Sequence, residues 1–236
     1  MNTVLKDKYE TLIAEGISQL DIQKQLEYLQ NNFTEIVFST SFSYEDQVIT
    51  YLIKEQSIQI FTLDTGRLFE ETYETWSRTV AKYKLKIETF TPPTQALNAF
   101  LTEKGPDSFY QSVENRKQCC SIRKVIPLQQ AIKGKQVWIT GLRAEHSPNR
   151  QDLNLFEWDE THQIIKFNPI LYWKTDQVID FITQNQIPYN SLHKKGFVSI
   201  GCAPCTRAIK EGEDFRAGRW WWEDATKKEC GLHIHK

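Results

Sequence analysis

"EIVFSTSFSYEDQVITYLIKEQSIQIFTL" (residues 35–63) decides the fold. Its first six residues form a short β-branched and aromatic run, SFSYED is polar, QVITYLIKEQ (residues 47–56) has helical periodicity, and IQIFTL (residues 58–63) restores the strand signal. The pattern is strand, loop, helix, strand. It then repeats: after the loop DTGR, residues 68–83 place Leu68, Tyr73, Trp76, Val80 and Tyr83 on one helical face, and KIETF (residues 86–90) reads as another strand. CCSIRKVIPLQQAI (residues 119–132) is helical with a kink or break at Pro127, and QVWIT (residues 136–140) is a strand running into GLRAEHSPNR. Strands that alternate with helices predict right-handed crossovers and an α/β fold with an open, mostly parallel sheet flanked by helices.

At the amino end, Leu5, Tyr9, Leu12, Ile13, Ile22, Leu26 and Leu29 recur at helical spacing, giving two amphipathic helices or one broken near Gly16. Further on, DLNLFEW and HQIIKFNPI are expected to pair antiparallel at one sheet edge, and TDQVIDFITQNQ is a helix. Nothing after GCAPC makes a clear strand. The expected division is an α/β domain over residues 1–212, including the helices of 1–30, and a carboxyl-terminal segment over 213–236 that is rich in arginine and tryptophan.

With 236 residues, 40% of them hydrophobic, one substantial core is within reach. A formal charge of −1 supplies no basic field for nucleic acid, so any anionic ligand must meet a local cluster of cations. The first residues have scattered charges and no apolar signal region, and no stretch is apolar for long enough to span a bilayer, so a cytoplasmic protein with no membrane partner is expected.

In an open parallel sheet, ligands bind beyond the carboxyl ends of the strands. Three loops leave strand ends here: SFSYED, DTGR and GLRAEHSPNR. They offer hydroxyls, backbone N–H groups at helix starts, arginines, and two glycines, Gly66 and Gly141, that admit a flat base or a ribose, a set that suits a nucleotide. The same residues are ordinary turn and cap formers, so each loop alone decides nothing.

Five cysteines fall into Cys119-Cys120, Cys202-Ala-Pro-Cys205 and a separate Cys230 near the carboxyl terminus. A disulfide framework is not expected from an odd number without a secretory signal, and the late position argues against a thioredoxin-like dithiol. Adjacent cysteines bend awkwardly onto one zinc ion, whereas in a [4Fe-4S] cube each thiolate takes a separate iron. Spacing favours the cluster over zinc, and zinc over reduced core thiols. Lys124 lies about one helical turn after Cys120, between a cluster and an anion. Arg216 and Arg219, three apart beside Trp220, Trp221 and Trp222, could grip a phosphate or sulfate from one side of a helical turn. The tryptophans cannot all enter one core, so some are expected beneath a lid or at a subunit interface.

The segments SFSYEDQVI, FTLDTGRLFEETY, CCSIRKVIPL, TGLRAEHSP, GCAPCTRAI, DFRAGRWWWE and ECGLH, in this order, resemble the assimilatory adenylyl-sulfate (APS) reductases, relatives of the phosphoadenylyl-sulfate (PAPS) reductases. The resemblance spans nearly the whole chain. It implies an adenine nucleotide alpha hydrolase-like fold with a mobile carboxyl-terminal tail, a [4Fe-4S] cluster on Cys119, Cys120, Cys202 and Cys205, and Cys230 as nucleophile. It also implies Lys124, Arg150, Arg216 and Arg219 around the phosphosulfate, with Ser41, Ser43, Asp46, Leu63, Thr65 and Gly141 near the nucleotide. The implied activity is reduction of APS to sulfite and AMP through an enzyme S-sulfocysteine, with thioredoxin or a similar dithiol as partner, in a homo-oligomer. PAPS reduction, or use of both nucleotides, is the nearest alternative; tRNA thiolation and a non-catalytic metal-binding module are more distant. SFSYED departs from the Gly-Ala pair that members often carry in this loop.

Overall fold

A computed structural model describes residues 3–146 and 152–223. The elements run α1 (Thr3–Ala14), α2 (Ile22–Asn32), β1 (Ile36–Thr40), α3 (Tyr44–Ile53), β2 (Gln59–Leu63), α4 (Glu70–Tyr83), β3 (Ile87–Phe90), α5 (Thr94–Lys104), α6 (Val113–Cys120), α7 (Ile126–Ala131), β4 (Val137–Ile139), β5 (Phe156–Asp159), β6 (Ile164–Phe167) and α8 (Thr175–Gln184). Six strands form one mostly parallel sheet in the order β3-β2-β1-β4-β6-β5. β1 pairs parallel with β4, β4 parallel with β6, and β5 closes the edge antiparallel to β6 with Phe156 opposite Phe167. The expected architecture and the edge hairpin are both present. Among the described residues no helix is long and apolar enough to cross a membrane.

The chain divides into two compact units. Unit 1 comprises residues 1–61, 75–88 and 132–189, and holds most of the sheet. Its central strands are apolar on both faces: Val37, Phe38, Val137, Ile139, Ile165 and Phe167 are fully buried, which is what a sheet covered by helices on both sides requires. Each such side chain contributes about 2 kcal/mol of hydrophobic stabilisation. The amino-terminal helices join this core through Leu5, Leu12, Leu26 and Leu29, and Gly16 separates them with a left-handed φ of 69°. The strand order reverses between β1 and β4, so the carboxyl ends of these two parallel neighbours define the crevice where such folds bind ligands.

Unit 2 comprises residues 62–74, 89–131 and 190–236, and its small core contains Phe109, Cys202, Cys205 and Trp220, with Cys119, Cys120 and Trp222 packed against it. Between α6 and α7 lies a π turn, Ser121–Val125, in which the Ile126 N–H donates to Ser121 O. This accounts for Pro127. A proline inside an α-helix lacks an N–H and its ring crowds the carbonyl four residues back; widening the preceding turn lets the helical path continue where a break was one expectation. α5, which the sequence pattern did not mark, buries only Phe100, too little for an amphipathic stripe to be legible.

Candidate functional site

Unit 1 places four of the expected nucleotide residues at the switch between β1 and β4. Ser41 donates to Asp46 Oδ2 from its backbone N (2.6 Å) and from its hydroxyl (2.7 Å), while Ser43 takes the N-cap position of α3. Asp46 therefore holds its own loop rather than facing outward. It is fully buried, and burial pushes its carboxyl up to about 6 although both Ser41 hydrogen bonds pull the other way. Gly141, at the end of β4, is the one residue type that fits beside it, because an added Cβ would collide with Asp46 Oδ1 and sit 3.1 Å from Glu45 Cβ. The loop also contains a residue the sequence did not single out. Phe42 is buried with φ of 60°, stacked on Trp76 at 5.4 Å, and its N–H donates to Thr40 Oγ1 at 3.1 Å. A left-handed φ at a bulky residue is strained.

Unit 2 gathers all four clustered cysteines. Cys119, Cys120, Cys202 and Cys205 line a single small cavity, together with Arg123 and Lys124. Two come from the end of α6 and two from the 3-10 turn Ala203–Cys205 and its N-cap, so segments more than eighty residues apart in sequence supply one donor set. Thr65 shares a hydrogen bond with Cys202 Sγ at 3.3 Å, and its carbonyl accepts from Arg123 at 2.5 Å. Leu63, the other residue expected beside the nucleotide from this loop, ends β2 and is half-buried. Among the described residues no group of three or more His, Cys, Asp or Glu side chains is placed to hold a metal ion.

The electrostatics of this cavity are uneven. Burial and the neighbouring Cys202 and Cys120 thiolates push Cys205 up to about 12, and burial raises Cys119. Cys202 goes the other way: burial opposes its thiolate, but the Lys124 charge, the Thr65 hydrogen bond, and Arg219 and Arg123 outweigh it and lower its pKa. Four thiols in so small a space can all ionise only when further positive charge enters among them, and soft thiolates take that charge from iron-sulfur clusters or similar soft metals. Three buried donors near the cysteines, Arg123 Nε, Arg219 Nε and Trp220 Nε1, have no hydrogen-bond partner among the described residues. The donor set fits a polynuclear cluster, in which each thiolate takes a separate metal.

Arg216 and Arg219 do not sit on a helix. They bracket a turn in which the Arg219 N–H donates to Arg216 O (2.9 Å), and both guanidinium groups lie over the Trp220 ring, at 5.9 and 4.7 Å. Gly201 makes this possible, since a Cβ there would come within 2.6 Å of Arg219 Cζ. Of the three tryptophans, Trp220 is buried, Trp222 half-buried and Trp221 exposed. Arg150 and Cys230 lie outside the described residues. Three cations went unassigned in the sequence: Arg67, Arg116 and Arg123, all lining the cavity. The signal that could have found them is a cation within a turn of a cysteine pair, as with Arg116 and Arg123, and the arginine of the DTGR loop.

The phosphoadenosine phosphosulfate reductase domain family matches residues 35–208. The chain is 48% identical over 200 residues to an adenosine 5'-phosphosulfate reductase of Allochromatium vinosum, covering 84% of this chain and 78% of that protein. It is 44% identical over 227 residues to the enzyme of that name from Neisseria meningitidis, covering 95% and 92%. Among solved structures, a phosphoadenylyl-sulfate reductase from Candida auris in a phosphate complex superposes with a TM-score of 0.71 at 27% identity, covering 89% of this chain and 98% of that one.

Proposed function

The chain belongs to the phosphoadenosine phosphosulfate reductase domain family, and from that premise we propose that it is an oxidoreductase reducing adenosine 5'-phosphosulfate to sulfite and AMP in cytoplasmic sulfate assimilation. The relatives at 44–48% identity carry that activity in their names, which favours APS over PAPS. The observation that carries the proposal is the cavity of unit 2, where four thiols meet Lys124 and the Arg219 charge acts on Cys202. A [4Fe-4S] cluster held by Cys119, Cys120, Cys202 and Cys205 would supply rigidity and a fixed charge, not the reducing electrons.

In the proposed reaction the Cys230 thiolate attacks the sulfuryl sulfur of APS, the S–O bond to phosphate breaks, and AMP leaves with that oxygen. Lys124, Arg150, Arg216 and Arg219 neutralise the charge that develops on AMP, an effect strongest where water is excluded. Ser41, Ser43, Asp46, Leu63, Thr65 and Gly141 position the nucleotide. A thiolate of an external dithiol, thioredoxin or similar, then attacks the Cys230 sulfur and expels sulfite; its second thiol resolves the mixed disulfide and restores the Cys230 thiol. The dithiol supplies both electrons. The functional division is therefore residues 1–212 for nucleotide and cluster, and 213–236 for the arginine/tryptophan segment and the catalytic thiol, within a homo-oligomer.

Anaerobic purification with iron and sulfide analysis, followed by trapping of radiolabelled sulfite on wild-type and Cys230→Ser proteins, tests this reading. Label on the wild type alone, with four irons per chain expected of a cube, is the predicted result. Sulfite release by Cys230→Ser at the normal rate would sink it. Turnover of APS exceeding that of PAPS is expected with reduced thioredoxin.

A further inference from the structure

We propose that Glu223 and Arg116 form a latch that fixes the point from which the carboxyl-terminal segment departs, and thereby sets where the Cys230 thiol can reach. The proposal rests on the reading of Cys230 as the attacking thiol. Arg116 sits in α6, three and four residues before Cys119 and Cys120, on the face of the helix they share. It is wholly buried. Its Nε donates to Glu223 Oε1 at 3.0 Å and its second guanidinium nitrogen to Oε2 at 2.7 Å, a bidentate pair whose side chains are only 1% and 4% exposed.

The root of the pair is tied on every side. Arg116 lies 4.6 Å over the Trp220 ring; the Trp220 N–H donates to Cys205 O at 3.1 Å, and the Glu223 N–H donates to Trp220 O at 2.9 Å. Trp220 accepts a left-handed φ of 42° to make this turn. Arg116 also faces the Cys120 thiol, so the same guanidinium touches the cysteine set and the start of the last segment.

A buried ion pair adds little net stability compared with apolar residues of the same shape, so its use lies in fixing geometry. Here the fixed geometry is that of Glu223, and Cys230 follows seven residues later. Seven residues span at most about 24 Å, so anchoring Glu223 sets the outer limit of the thiol's reach from that point. Bidentate contact matters because a single hydrogen bond would let the carboxylate pivot.

The test uses the intact holoprotein as wild type, Glu223→Gln and Arg116→Lys. Glu223→Gln is expected to keep its iron and its AMP affinity within about twofold, while kcat falls about tenfold with little change in KM. Trypsin cleavage after Lys227 and Lys228 is expected to accelerate by a similar factor. Arg116→Lys, which keeps the charge and loses the fork, should fall between the two. Wild-type kcat together with the wild-type cleavage rate in Glu223→Gln overturns the latch, as does a loss of AMP affinity matching the loss of kcat. If Glu223→Gln fails to hold iron, Arg116→Lys decides: cleavage at the wild-type rate overturns it. Cleavage does not depend on the chemistry of Cys230, so a Cys230→Ser protein that keeps full activity defeats the proposed mechanism without touching this result.

Discussion

Arg143 in unit 1 and Arg219 in unit 2 are both buried, at 2% and 8% exposure, yet they are treated in opposite ways. Arg143 donates to Glu45 (3.0 Å), Glu145 (2.6 Å), the Trp173 carbonyl (3.0 Å) and Thr175 (3.0 Å). Its charge is spent inside the protein. Arg219 is stacked on Trp220 with a buried Nε that has no partner among the described residues, close enough to Cys202 to lower its pKa. Natural proteins seldom leave a buried donor unpaired, because each such group costs about 1–3 kcal/mol. The Arg143 charge is paired within unit 1, whereas the Arg219 charge in unit 2 acts on the Cys202 thiol.

The sharpest way to break this contrast is to remove the proposed cluster. Chelating the anaerobic holoprotein should raise amide exchange across residues 113–131 and 199–223 by about a hundredfold or more, while β1, β4 and β6 keep their protection. Equal loosening of both units would show that the difference between them is not one of dependence on a bound group.

A second probe lies in the pH dependence of unit 1. Asp46 has a folded pKa of about 6 against a model-compound value of 3.8, so the folded state holds its proton more tightly than the unfolded chain does. The stability that this proton confers is present below about pH 4, declines as pH rises toward 6, and is gone above it, a loss on the order of 3 kcal/mol. Urea unfolding of Asp46→Asn at pH 4.5 and pH 7 should lack this decline. A slope equal to that of wild type would place the burial cost elsewhere.

The smallest and most discriminating effects come from two glycines. Gly141→Ala drives a methyl into Asp46 and Glu45, and is expected to lower stability by about 1–3 kcal/mol, read in a denaturant melt. Gly201→Ala meets the end of the Arg219 side chain, which can swing aside, so stability should move by less than about 1 kcal/mol. Its kcat/KM for APS should nonetheless fall about tenfold, as expected for displacing one charge-assisted contact. The reverse pattern would mean that Arg219 is structural and Arg143 the residue left open.

Much of this was legible beforehand. Residues 35–63 announced β1, α3 and β2, and the edge pair at β5 and β6 was visible in DLNLFEW and HQIIKFNPI. One boundary moved: α3 begins at Tyr44, three residues before its apolar stripe, with Ser43 at its N-cap position and Glu45 and Asp46 in a first turn that favours acidic residues. Lys124 was placed near Cys120 by counting an α-helical turn, but the path between them is a π turn, and both still line the cavity. Arg216 and Arg219 both lie over Trp220, on a turn and not on the helix that their spacing suggests.

The sequence by itself determined the alternation of strands and helices, the apolar faces of the sheet, and the set of thiols, because these depend on side chains spaced two to four residues apart along one chain. Only the tertiary structure decided which charges are closed and which are left open. Arg116 meets Glu223 across 107 residues and Arg143 meets Glu45 across 98. No local periodicity encodes such pairings; they exist because folding carries both partners out of water into the same place, where each buried charge requires an answer.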